Sequence, residues 1–263
     1  MDAFAQFKAA QRQGWAFWAP LEAITTAPAA QLVTFAKVQR GQRVLDVATG
    51  TGAVAVTAAR RGAQVSGLDL TPELLEVARQ NAPLAGVEVD FHEGDAEALP
   101  FEADAFDVVL SQFGHMFAPR PEVALAEMLR VLKPGGVLAF STWPPELFTG
   151  RMFALSAKYT APPPPGVMPP TLWGDPNVIR ERLGKGVKDV TFDRGTMWNP
   201  TLSPAHHRLQ AEKSVGPLKR LVESNPDPAK LAEFRREYEA LVEQYLDGNR
   251  VRQDFLMTRA TKG

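Results

Sequence analysis

From Gln42 to Phe140 the chain alternates between two hydrophobic periods. Five short apolar or β-branched runs, Arg43 to Val47, Gln64 to Leu68, Val87 to Phe91, Phe106 to Leu110 and Gly136 to Phe140, read as strands. Between them lie alanine-, leucine- and glutamate-rich stretches of helical period. Strands alternating with helices predict βαβ units: a doubly wound, mostly parallel α/β sheet, with helices on both faces and a ligand crevice at the carboxyl ends of the strands.

Turn chemistry agrees. Thr71-Pro72-Glu73 reads as N-cap, first-turn proline and first-turn acid of one helix, and Gly62 closes the helix before it. Val131-Leu132-Lys133-Pro134-Gly135-Gly136 ends another helix in a structural turn. After Trp143 the pattern changes. Pro162 to Pro165, Gly166 and Pro169-Pro170 predict a stiff, extended connector. A short helix (Asn177 to Leu183), an extended run (Val187 to Trp198), two helical segments and a last strand follow. Leu231, Phe234, Tyr238, Leu241 and Tyr245 form one apolar stripe, expected to be core. The expected organisation is an N-terminal helical lid over 1–40, a ligand-binding core over 41–143, and acceptor-side helices plus last strands completing the same sheet over 144–263.

Composition narrows the chemistry. The 263 residues carry 29 basic and 30 acidic side chains and a net charge of −1, which gives no electrostatic footprint for a nucleic-acid backbone. There is no cysteine, so disulfides, thiolate metal sites and cysteine nucleophiles are excluded. Four scattered histidines give no metal signature, and no metal is expected. No apolar run approaches the ~18 residues of a membrane span, and Lys8 and Arg12 interrupt the N-terminal apolar residues, so a cytoplasmic location is expected.

The first strand runs into Asp46-Val47-Ala48-Thr49-Gly50-Thr51-Gly52 and then directly into a helix. Glycines there allow a tight turn and close approach of a ligand. Gly50-x-Gly52-x-x-Ala55 also fits the dinucleotide fingerprint, so an NAD-type oxidoreductase is the competing reading. The charges discriminate. From Val44 through Ala59 the only charged residue is Asp46, which would repel a pyrophosphate and attract a cation such as the ammonium and sulfonium of S-adenosylmethionine. Asp69 ends the second strand, where a carboxylate can accept from ribose hydroxyls, and Asp95 follows the third, where it can accept from an adenine amino group.

These residues resemble a family. Val44-Leu45-Asp46-Val47-Ala48-Thr49-Gly50-Thr51-Gly52, Gly67-Leu68-Asp69-Leu70-Thr71-Pro72-Glu73, Gly94-Asp95-Ala96-Glu97-Ala98-Leu99-Pro100-Phe101, Phe106-Asp107-Val108-Val109 and Leu132-Lys133-Pro134-Gly135-Gly136 resemble, in order, the class I S-adenosylmethionine-dependent methyltransferases of the ubiquinone/menaquinone-biosynthesis-like branch. Phe113-Gly114-His115-Met116-Phe117-Ala118-Pro119 and Leu172-Trp173-Gly174-Asp175 look like a subgroup of largely uncharacterised bacterial members. The resemblance implies a Rossmann-like sheet of seven strands with one C-terminal antiparallel strand, and S-adenosylmethionine as cofactor, released as S-adenosylhomocysteine. It implies that Asp46, Gly50 and Gly52 border the methionine end, that Asp69 beside Leu70 holds the ribose, that Asp95 and Ala96 frame the adenine, and that Ser111 and Gln112 lie near the methyl group. Ala48 stands where many members have the first loop glycine, and is expected at negative φ.

Transfer from a sulfonium is an in-line displacement that needs alignment and exclusion of water, with a base only where the acceptor loses a proton. His115, on the loop after the fourth strand, is the candidate base. His206-His207, after the cap Ser203-Pro204, is expected to be surface or packing, with one of the pair able to reach an acceptor pocket. Trp15, Trp18, Phe113, Met116, Trp143 and Trp173 are candidates to line an apolar cavity for a lipophilic or aromatic small molecule. Ser111-Gln112-Phe113-Gly114 lacks the Asp/Asn-Pro-Pro-aromatic motif of enzymes acting on amino groups of nucleic-acid bases, and thiol-dependent methylations lack their cysteine. A non-catalytic adenosyl-ligand-binding protein is the third reading; oligomeric state is left open.

Overall fold

The structure, a computed structural model, describes residues 3–263. Helix α1 (Ala3–Trp15), a 3₁₀ turn (Ala19–Leu21) and α2 (Glu22–Phe35) precede the alternating core. The core runs β1 (Arg43–Val47), α3 (Ala53–Arg60), β2 (Gln64–Asp69), α4 (Pro72–Leu84), β3 (Asp90–Glu93), β4 (Phe106–Gln112), α5 (Pro121–Val131) and β5 (Leu132–Thr142). Then come α6 (Phe148–Ala157), α7 (Pro176–Leu183), β6 (Val187–Pro200), α8 (Pro204–Ser214), α9 (Gly216–Ser224), α10 (Pro228–Glu243), β7 (Leu246–Asp247) and β8 (Arg250–Lys262).

The strands form one sheet in the order β3-β2-β1-β4-β5-β8-β6, with the two-residue β7 paired to β8. Pairing from β3 to β5 is parallel, and β8 runs antiparallel to both its neighbours, so it is the one reversed strand of the seven-strand path. Successive residues of the central strands feed different cores because side chains alternate between faces. Leu45, Val47, Leu138 and Phe140 join one buried cluster; Val44, Val108, Leu110 and Ala139 join the other. Each buried valine, leucine or phenylalanine among them contributes roughly 1.5–3 kcal/mol of transfer free energy. Two covered faces explain why these strands read as continuous apolar runs rather than alternating ones.

Three departures from the sequence reading have local causes. The third strand begins at Asp90, not Val87, because the ladder with β2 begins at Ser66↔Asp90 while the Val87 N–H turns back to the Ala82 carbonyl. The turn at Pro134-Gly135 lies inside β5: pairing to β4 jumps from Phe106↔Leu132 to Val108↔Val137, and Gly135 takes φ 74 in the looped-out stretch. In the 1–40 segment α1, the 3₁₀ turn and the first turn of α2, with Glu22 and Thr25, border the cavity at the sheet's carboxyl edge. The rest of α2 is core, packed on α3 and β6 with Ala29, Leu32 and Val33 fully buried.

A third cluster joins α6, α8, α9 and α10. Phe234, Tyr238 and Leu241 of the apolar stripe are buried there with Phe148, Met152, Leu218 and Leu221. Ser203 and Asp227 cap α8 and α10 by accepting backbone N–H bonds, each followed by proline at the first turn. Thr71 occupies the corresponding position of α4 with Pro72 following, but its hydroxyl makes no cap bond. No helix among the described residues is long and apolar enough to cross a membrane.

Candidate active site at the carboxyl edge of the sheet

Strand order reverses between β1 and β4, and at such a switch point the flanking loops part to leave a crevice. The ends of β1, β2, β3 and β4 bring Asp46, Asp69, Asp95 and Gln112 to this edge. Ala48, Gly50, Leu70 and Ala96 line the same cavity, of about 180 Å³. Gly52, also expected there, starts α3 at φ 87 and lies against Ala78 and Phe91, so its role is to let the turn enter the helix.

Asp46 is 1 % exposed. Its Oδ2 accepts from the Thr49 hydroxyl (2.6 Å) and the Ala55 N–H (3.1 Å), while its Oδ1 has no partner among the described residues. Burial pushes this carboxyl up to about 7, against the two hydrogen bonds and with a smaller push from Asp69. Asp69 accepts the Gly50 N–H at Oδ2 and the Thr71 N–H at Oδ1, both at 2.8 Å, so one carboxylate fixes both the glycine turn and the start of α4. Its pKa is also raised by burial.

Ala48 is not at negative φ. It takes φ 57, and Phe113, just past β4, takes φ 59. Two non-glycine residues in the left-handed region thus face each other across the switch point, and a Cβ on Gly114 would overlap the Cβ of Ala48. Left-handed backbone costs an L-residue roughly 1–2 kcal/mol. Ala48→Gly is therefore expected to raise stability by about 1 kcal/mol, after its larger loss of unfolded-state entropy, read as a higher melting temperature.

A base does reach this acid-lined edge, from far upstream. Lys8 Nζ of α1 lies 2.5 Å from Asp95 Oδ2 and pairs with the buried Glu97 carboxylate, which also holds Arg120. Asp95, expected to be open to an adenine, is thus already paired, with its Oδ1 accepting the Glu97 N–H. Arg12 pairs with Glu93 (3.1 Å) and Gln11 donates to the Phe117 carbonyl. Helix α1 is tied over the cavity by these contacts and by a close crossing with α9, where a Cβ on Gly216 would overlap the Gly14 carbonyl. Gly216→Ala should force this crossing apart at a cost of about 1–3 kcal/mol. The expected sign is faster amide hydrogen exchange across α1 without a change in the central strands.

A second cavity, of about 400 Å³, adjoins the first, and Trp18, Leu21, Thr25 and Phe113 line both. Its other walls include Trp143, Phe148, Met152 and Met197, with Asn199, His207, Tyr238 and Gln253 among its polar groups. Together the two lie in the range of small-molecule sites, ~300–1,000 Å³. Phe113 stacks on Trp143 with ring centroids 3.9 Å apart.

Of the aromatic candidates, Trp15 and Trp18 line the first cavity, Trp18 and Phe113 both, and Trp143 the second. Met116 and Trp173 line neither and are core residues, 2 % and 1 % exposed. His115 also faces away. Its ring packs on Phe140 and Trp173, neither nitrogen has a partner among the described residues, and burial lowers it to about 3. It lines neither cavity, and its burial does not fit a base. Ser111 is fully buried, donating to the Val47 carbonyl and accepting the His115 N–H, and lines neither cavity. Gln112, the next residue on the strand, points to the opposite face; it donates to the Thr25 carbonyl and its Oε1 has no partner among the described residues. Asn199, Gln253 and helix α6 gave no signal in the sequence; His207 was visible only as one of a pair.

A doubly wound sheet whose switch point holds a glycine turn between buried carboxylates defines a Rossmann-like protein with a ligand crevice at that edge. Residues 45–140 match the methyltransferase domain family. An uncharacterized protein of Mycobacterium tuberculosis is 36% identical over 233 residues, covering 88% of this chain and 85% of that protein. A demethylmenaquinone methyltransferase of Thermus thermophilus is 47% identical over 106 residues, 40% of this chain and 48% of that enzyme. The crystal structure of the YcgJ protein from Bacillus subtilis shares the fold, with a TM-score of 0.59 at 20% identity over 89% of this chain and 97% of that one. The chain belongs to one family with this mycobacterial protein, carries the methyltransferase domain over residues 45–140, and is an S-adenosylmethionine-dependent methyltransferase.

Proposed function

We propose that the first cavity holds S-adenosylmethionine and the second an apolar or aromatic small molecule that receives its methyl group by in-line displacement. The observation that carries this reading is the shared wall: two cavities of different chemistry meet at Trp18, Leu21, Thr25 and Phe113. The first fits the cofactor by its donor set. Asp46 Oδ1 and Gln112 Oε1 are buried without partners among the described residues, and Gly50, at φ 57, leaves the space of a Cβ open toward the cavity.

When bound, S-adenosylmethionine supplies an electrophilic methyl group on a cationic sulfur. The chain supplies the rest. Asp46 places negative charge where a cation is favoured, and Asp69 has lone pairs left for ribose hydroxyls after binding its two backbone N–H groups. Ala96 and Leu70 offer apolar flanks. Helix α1 keeps water from the crevice, and the walls of the second cavity orient a flat acceptor. Covalent chemistry on the protein is not required.

Isothermal titration of the protein with S-adenosylhomocysteine and with NAD tests the cofactor. Micromolar binding of the former is expected; tight binding of NAD alone would reverse the assignment. A labelled-methyl assay over phenols, quinone precursors, amines and thiols then identifies the acceptor class.

A further inference from the structure

One corner of the second cavity is polar. Asn199, on β6, places its amide 3.2 Å from His207 Nε2, and His207 Nδ1 lies 3.3 Å from the Tyr238 hydroxyl. All three residues line the cavity, among the rings of Trp18, Phe113, Trp143 and Phe148. His207 and Tyr238 are 3 % and 1 % exposed. Burial, with a smaller contribution from His206, lowers His207 to about 4, so its imidazole is neutral at physiological pH.

A neutral imidazole has one N–H and one acceptor nitrogen. With Asn199 and Tyr238 on its two sides, it donates to one and accepts from the other, and this fixes one edge of the Asn199 amide. The other edge has no protein partner in the hydrogen bonds of the described residues and borders the cavity. No Asp or Glu is among the described residues that line this cavity, and its one basic residue, Lys213, is exposed. A buried ammonium would find no counter-charge here, and a carboxylate at the polar corner would meet only neutral groups. A neutral hydroxyl meets neither penalty, and the aromatic walls favour a flat ring.

Resting on the reading of this cavity as the acceptor site, we propose that Asn199, oriented by His207 and Tyr238, anchors a neutral hydroxyl carried by a planar aromatic acceptor, so that the enzyme selects phenols. Asn199 touches the acceptor; His207 and Tyr238 are positioning residues that act through it.

The test uses the full chain without cofactor, titrated with 2-naphthol, 2-methoxynaphthalene and 2-naphthylmethylammonium, and read by quenching of tryptophan fluorescence, since Trp18 and Trp143 are in the wall. The naphthol should bind about tenfold more tightly than its methyl ether, the worth of one buried hydrogen bond, and the ammonium should not bind. Asn199→Ala and Tyr238→Phe should bring the naphthol-to-ether ratio close to one while the ether's own affinity stays within about twofold, which a merely structural role would not produce. His207→Phe should do the same. Absence of naphthol binding, a wild-type ratio near one, or a ratio unchanged in Asn199→Ala would overturn the proposal. S-adenosylhomocysteine is titrated in parallel: if it binds while the naphthol preference is absent, only the anchor falls, and if it does not bind, the cofactor assignment falls instead.

Discussion

Replacing Asp69 with alanine should weaken binding of S-adenosylhomocysteine by about 1.5–3 kcal/mol, the worth of charge-assisted hydrogen bonds to two ribose hydroxyls. The structure adds a second loss in the same direction. The Asp69 carboxylate holds the Gly50 and Thr71 N–H groups, so its removal also frees the glycine turn and the first turn of α4. Asp69→Asn separates the two effects, since one carbonyl oxygen can keep one of those backbone donors while the charge is lost. Calorimetry on both variants gives the partition; a dissociation constant unchanged in Asp69→Ala would remove the ribose assignment.

Asp46 should make cofactor affinity depend on pH. Its carboxyl, raised to about 7 by burial, is largely protonated below that value in the free protein. Since the folded pKa lies above the unfolded one, the contribution of this group to stability is present below pH ~4 and is lost as pH rises through 7, by about 1.4 kcal/mol per unit in that window. Asp46→Asn should therefore be more stable than the parent above pH 7. A bound cation favours the carboxylate, so binding of S-adenosylmethionine should release a proton and weaken as pH falls from 7 to 5, by up to about tenfold per unit. S-adenosylhomocysteine lacks the sulfonium charge and should show less of this dependence. The ratio of the two dissociation constants, measured from pH 5 to 8, should slope in the parent and be flat in Asp46→Asn. A flat ratio in the parent would mean that Asp46 does not sense the cation.

The residues at strand ends were legible because a strand followed by a glycine turn places its last side chains at one edge whatever the rest of the chain does. That is why Asp46, Asp69 and Gln112 line the first cavity. What the sequence hid depends on direction or distance. His115 lies three residues past β4, yet the 3₁₀ turn starting there aims its ring into the core, against Trp173 from 58 residues later in the chain. Ser111 and Gln112 are adjacent but point to opposite faces, so only one reaches the cavity. Lys8 is 87 residues from Asp95, and no local pattern announces that pairing. The backbone of Ala48 shows the same limit. Its φ follows from the crowding of two loops at the switch point, not from any preference of alanine.

Phe113 belongs to both cavities, stacks on Trp143 and holds a strained backbone. A ligand that presses on this ring from one side changes the free energy of occupying the other. Such coupling is reciprocal: the factor by which one ligand tightens or loosens its neighbour must equal the factor by which the neighbour acts on it. The order in which the two enter is then set by their concentrations and rates, and Phe113→Leu, which trims the common wall, should bring that factor toward one.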